Sequence, residues 1–203
     1  MKPWAHLFVL ILCSMLSANC STPRNALVPN GAAVGVAPFA QPLNTVDLLA
    51  GNLPEDQIRL DPVLLTRLDS DFELMLREFS PMVFLEREQS LRCAREYPGA
   101  KNAGAFNRWL RVGQCLEADM LILPHMLQRR EEKDGAPPLV IMDIFLLDIK
   151  NQSLLARSRL DAQRCLAAGE RGPLEQYTKK LQPDALDALE LEGMFKAIME
   201  FGL

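Results

Sequence analysis

Three apolar runs follow one another between residues 120 and 162, separated only by short polar breaks, and this succession narrows the fold more than any other feature. Residues 120–128 (MLILPHMLQ), 139–149 (LVIMDIFLLDI) and 154–162 (LLARSRLDA) are each of strand length and too short to span a bilayer as helices. The first break (EEKDGAPP) is turn-rich, and the second is the tight Lys150-Asn151-Gln152-Ser153. Connections this short join antiparallel neighbours, so the three runs predict a meander. In the last run Leu154, Ala156, Ser158 and Leu160 alternate with Leu155, Arg157, Arg159 and Asp161, which predicts one packed and one wet face. Asp143 and Asp148 sit at odd spacing on the middle strand and so belong on opposite faces. Asp148, beside the turn, is expected to be the exposed one.

Upstream the pattern changes period. Residues 34–39 (VGVAPF) read as a first buried strand, followed by a long loop over residues 40–60. Asp61-Pro62 supplies an N-cap and a proline at the first helical position. Behind it Leu65, Leu68, Phe72, Met75 or Leu76, and Phe79 recur at three- and four-residue steps. Residues 81–85 (PMVFL) read as a second strand, residues 86–97 as a helix closed by Pro98-Gly99, and residues 106–113 as a helix with Phe106, Trp109, Leu110 and Gly113 on one side. After Gly169 and Gly172-Pro173 comes a short helix, then a last one over residues 184–201. Its stripe of Leu186, Leu189, Gly193, Met194, Ala197, Ile198 and Phe201 suits either a lid on the sheet or a detachable recognition helix. A strand–helix–strand unit followed by an antiparallel meander predicts one α/β domain over residues 34–203, with a mixed sheet of about five strands and helices packed on it.

The chain opens with residues 1–20, MKPWAHLFVLILCSMLSANC: Lys2, then an apolar run from Leu7 to Leu16 broken only by Ser14, then small or polar residues. That layout of charge, apolar core and small residues is that of an export signal. Two endings compete. Plain cleavage finds no good pair of small residues, whereas Cys20 behind Leu16-Ser17-Ala18-Asn19 resembles the acylation site of a bacterial lipoprotein. The expectation is a lipoprotein signal over residues 1–19, a lipid on Cys20, and a tether reaching residue 33 that is at most about 40 Å long. Each buried methylene of an acyl chain contributes about 0.8 kcal/mol to anchoring. Ser21 rather than aspartate after the cysteine favours the outer membrane over the inner one.

The chemistry of the remaining residues is sparse. With 49% hydrophobic residues among 203, the chain is not wholly disordered, and a net charge of −4 argues against nucleic acid as a partner. Beyond Cys20 an exported domain would hold Cys93, Cys115 and Cys165. Cys93 and Cys115, on neighbouring helices, are the pair to expect if any disulfide forms in an oxidising compartment, and three small, partly buried thiols are the alternative. His125 is the one histidine past the signal, too few for a metal centre or a histidine-based triad, so no metal and no cofactor are expected. Glycine-rich phosphate loops and hydrolase signatures are absent from the sequence. Arg129, Arg130, Arg157 and Arg159 lie on strands flanking the middle one and would meet on one wet face, either for solubility or as a patch for an anionic partner surface or lipid headgroups.

Across residues 34–160 the chain resembles a group of bacterial envelope lipoproteins. Their shared domain is similar to the N-terminal domain of the Tol system translocation protein. The curli secretion lipoprotein and the lipoprotein activators of penicillin-binding proteins belong to it. The resemblance rests on VGVAPF at residues 34–39 against V-x-V-x-P-F, on LEADMLI at residues 116–122 against L-G-A-D-x-L-I, and on residues 144–155 against L-x-D-x-x-T-G-x-L-L. Glu117 stands where the pattern has glycine, and Asn151-Gln152 where it has Thr-Gly. The resemblance implies a non-enzymatic accessory, held at the outer membrane and facing the periplasm, that binds or assembles another envelope protein. A secreted periplasmic hydrolase and an oligomeric secretion-channel component are the alternatives. The anchor is testable directly: Cys20→Ala should move the protein from the membrane fraction to the soluble periplasmic extract. Unchanged fractionation, with no lipid mass on the N-terminal peptide, would refute acylation.

Overall fold

The computed structural model describes residues 27–39, 61–97, 105–161 and 172–203. The expected signal, Cys20, the loop over residues 40–60, Pro98-Gly99, Cys165 and Gly169 fall outside them. The described elements run β1 Val34–Val36, α1 Pro62–Phe79, α2 Arg87–Glu96, α3 Ala105–Cys115, β2 Met120–Arg130, β3 Leu139–Asp148, β4 Ser153–Asp161, α4 Gly172–Leu181 and α5 Ala185–Phe201. They form an α/β domain around one sheet of order β1-β2-β3-β4. β1 lies parallel to β2, with Val34 opposite Met120, and the crossover between them includes the described helices α1, α2 and α3; β2, β3 and β4 form the antiparallel meander.

The strand expected at residues 81–85 is not one. Only Phe84 bridges to Val34, with the Leu85 N–H donating to the Val34 C=O at 2.9 Å. Pro81 has no N–H to give, and the stretch is pinned between the end of α1 at Ser80 and the start of α2 at Glu86, too short to extend along β1. The sheet accordingly has four strands among the described residues.

Helices cover both faces. Val140, Met142, Ile144 and Leu146 of β3 pack with Leu68, Phe72, Met75 and Leu76 of α1 and with Met194, Phe195, Ile198 and Phe201 of α5. Phe145 and Leu147 point the other way, into Trp109, Leu110 and Val112 of α3 and Cys93 and Ala94 of α2. Cys93 and Cys115 form a disulfide across α2 and α3, with Cα atoms 5.8 Å apart. α1 starts as its sequence dictates, the Asp61 carboxylate accepting from the Val63 N–H at 2.8 Å. α5 is core rather than a loose appendage. A Cβ on Gly193 would come within 2.9 Å of the Leu160 side chain, so glycine there lets the helix lie against β4. The distal part of the expected tether is docked as well: Val28 is buried, and the Leu27 N–H donates to the Phe201 C=O.

Asp148 is buried, not exposed, because the hairpin turn folds back on it: it accepts from the Asn151 N–H at 2.8 Å and the Asn151 side-chain amide at 2.7 Å. β4 also departs from simple alternation. A bulge at Leu155 pairs Leu154 with Leu147 and Ala156 with Leu146, so Leu154 leaves the face it would otherwise share with Ala156, Ser158 and Leu160.

Both departures from the glycine pattern fall on left-handed backbone. Glu117 has φ 55° and closes α3, with the Ala118 N–H donating to Gly113 C=O and the Glu117 N–H to Gln114 C=O. Gln152 has φ 52° in the hairpin turn. A side chain in this region costs about 1–2 kcal/mol, partly offset by the backbone freedom that glycine loses on folding. Glu117→Gly and Gln152→Gly should therefore each raise the thermal midpoint by about 2 °C, whereas the alanine variants should not. Circular-dichroism melting of the four variants checks this, and no gain from either glycine would mean that these positions hold no strain.

Candidate functional site

A cleft of about 360 Å³ opens at the outer edge of β1. Its floor is Val36, Ala37 and Pro38; one wall is α1 through Phe72 and Leu76, and the other is residues 82–86 and the first turn of α2. The volume lies near the lower end of the roughly 300–1,000 Å³ range of ligand pockets. Each wall follows from local sequence. The i, i+4 spacing of Phe72 and Leu76 turns both toward the sheet, and the short link after Ser80 holds Met82 and Phe84 beside β1. Val83, 83% exposed, stands at the rim.

The polar groups in the cleft are mostly committed to one another. Asp69 accepts from the Phe39 N–H at 2.7 Å and from Arg87 at 3.2 Å. Burial pushes its carboxyl above the ordinary range, with the Phe39 N–H and Arg87 opposing. Glu73 pairs with Arg77 and lies 3.8 Å from Arg87. Two groups are left over. Ser90 is 2% exposed, and its Oγ has no hydrogen-bond partner. At the start of α2, the Glu86 side chain makes no capping bond. No histidine or cysteine is among the described lining residues, and no group of three potential metal ligands occurs among the described residues.

The four arginines singled out by sequence do not meet. A bulge at Leu127 breaks the alternation of β2 and turns Arg129 to the α5 face, opposite Val140. There it donates to Glu190 at 2.8 Å, and Arg67 of α1 binds Glu190 and Asp187 from the other side. Burial pushes the Glu190 carboxyl up, with Arg129 and Arg67 opposing. Arg130 is exposed at the end of β2 opposite Leu139, remote in register from Arg157 and Arg159. Those two converge on Asp143 of β3, which is fully buried. Arg159 binds it through Nε at 2.7 Å and Nη2 at 2.8 Å, and the Arg157 guanidinium lies 5.6 Å over the Phe145 ring. The arginines thus act chiefly as internal ties between strands and between sheet and helix.

No family model and no curated protein sequence matches the chain. Among solved structures it is similar to lipoprotein GNA1162 of Neisseria meningitidis, at 13% identity over 76% of this chain and 99% of that one, with a TM-score of 0.42. It is also similar to PelC, a dodecamer from Paraburkholderia phytofirmans, at 12% identity over 89% and 93% of the two chains, TM-score 0.42. A third is the C-terminal domain of LpoB from Escherichia coli, at 8% identity over 73% and 90%, TM-score 0.39.

Asp143 gives a measurable pH dependence. Burial alone would raise its carboxyl, but the hydrogen bonds from Arg159 and Arg157 outweigh that and hold it below the ordinary value of 3.8. A group depressed on folding stabilises the protein above its unfolded value, and that contribution is lost as the pH falls through the folded one. Asp143→Asn should cost about 2 kcal/mol at neutral pH, the arginines being partly solvated. The difference from the parent should shrink in denaturation curves taken below pH 3.8. A difference independent of pH would mean that packing rather than charge is lost.

Proposed function

We propose that this chain is a lipid-anchored accessory protein of the cell envelope, on the periplasmic side of the outer membrane, that binds another envelope protein and catalyses no reaction. The observation that carries the reading is the cleft at the β1 edge. Apart from Glu86 its charged groups are paired among themselves, its walls are mostly apolar, and what it offers is shape and a few hydrogen-bonding groups. Such a surface suits recognition, and its described lining holds no histidine or cysteine to act as base or nucleophile. The layout of residues 1–20 supports export and anchoring, and the short tether would keep the cleft near the membrane surface. The nearest thing to a reactive group, His125, lies on β2 opposite Asp143, buried in the sheet and not among the cleft's described lining.

The test is site-specific photocrosslinking in intact cells. A crosslinking side chain at exposed Val83 should give one discrete adduct with an envelope protein, and the same group at exposed Met199 of α5 should give none. Equal adducts from both positions, or none from either, would refute the cleft as the recognition surface.

A further inference from the structure

We infer that the cleft takes an extended segment of the partner's chain. One large apolar side chain would enter between α1 and residues 82–86, and the segment's backbone would pair with β1 at Val36. This rests on the reading of the protein as a partner-binding accessory and goes further by naming what the partner must present.

Three observations single out this occupant. The first is the sheet edge. Ala37 donates to Ile122 of β2, so the odd-numbered residues of β1 face inward, and Val34 faces outward, where its C=O receives the Leu85 N–H. Val36 is two residues further on and turns its own N–H and C=O to that same outer edge, inside the cleft and past the single bridge at Phe84. Among the described residues nothing pairs with it there, and an edge begun by one bridge and then left open accepts an added strand.

The second is charge. Asp69 and Glu73 are engaged by Arg87, and Glu73 also by Arg77, so among the described lining residues no uncompensated cation is left to select an anionic headgroup or a fatty-acid carboxylate. Glu86 at the rim adds a further negative charge against such ligands. A neutral apolar side chain meets no such opposition. The third is Val83, a large apolar side chain left 83% exposed beside the cleft. It extends the apolar contact outside the cleft.

The experiment uses the full chain purified in detergent and a phage-displayed library of random twelve-residue peptides as the probe. Selected peptides should share one large apolar residue, and replacing it by alanine should weaken binding at least tenfold. N-methylating the backbone amide next to that residue should also weaken binding at least tenfold. On the protein, Val83→Glu should weaken binding at least fivefold with an unchanged melting midpoint, and Met199→Glu should leave it unchanged. Palmitate should not displace the peptides. Displacement by palmitate would identify a lipid pocket and overturn the proposal. Peptides indifferent to N-methylation would overturn the strand pairing, as would a library from which nothing is enriched. A discrete in-cell adduct from Val83 alongside either failure would leave the partner-binding reading standing while this one falls.

Discussion

Burial of β3 on both faces is the constraint from which the rest of the architecture follows. Val140, Met142, Ile144 and Leu146 point to one side and Phe145 and Leu147 to the other, and all six are essentially inaccessible. A strand apolar on both faces cannot sit in a sheet with a wet side, so helices must cover both. α1 and α5 supply one layer, α2 and α3 the other. The parallel pairing of β1 with β2 satisfies this demand, since the crossover between them carries the helices needed. Asp143, in the middle of the same strand, is admitted only because two arginines from β4 reach across and neutralise it.

What the sequence made legible was whatever repeats at a fixed period over many residues. The meander, the helix behind Asp61-Pro62 and the stripe on the last helix all rest on such repeats, and each is present. What was hidden turns on single residues that shift the period. One extra residue at Leu127 sends Arg129 to the opposite face, and one at Leu155 does the same to Leu154. Neither bulge has a glycine or proline to mark it, so alternation read through it gives the wrong face for everything beyond. Asp148 was misplaced for a related reason. A carboxylate beside a turn is usually wet, but here the turn supplies Asn151, whose backbone and side chain both satisfy it within the fold.

The cleft as a whole is not written in any one stretch of the chain. Its lining comes from β1, the middle of α1, the link after Ser80 and the first turns of α2, segments brought together only by the tertiary fold. The single local sign of it was residues 81–85, apolar enough to read as a strand yet too short and too constrained by Pro81 to become one. Their failure to pair along β1 leaves both the groove and the open edge. The misassigned strand and the candidate site are therefore one feature seen at two levels.

The charged residues complete this picture from the opposite side. Glu190 is held by Arg67 and Arg129, Asp143 by Arg157 and Arg159, Asp69 by Arg87, and Glu73 by Arg77. Each of these arginines joins elements separate in sequence, except Arg77, which pairs within α1. Cations spent on internal ties offer little directional charge to a partner, and rim charges in general tune the rate of encounter more than its tightness. If the cleft takes a partner segment as proposed, discrimination comes from the shape of its apolar walls and from backbone hydrogen bonds at β1. Both are insensitive to the partner's net charge and demanding about its conformation, so a segment already extended loses less entropy on docking than one that must first unfold.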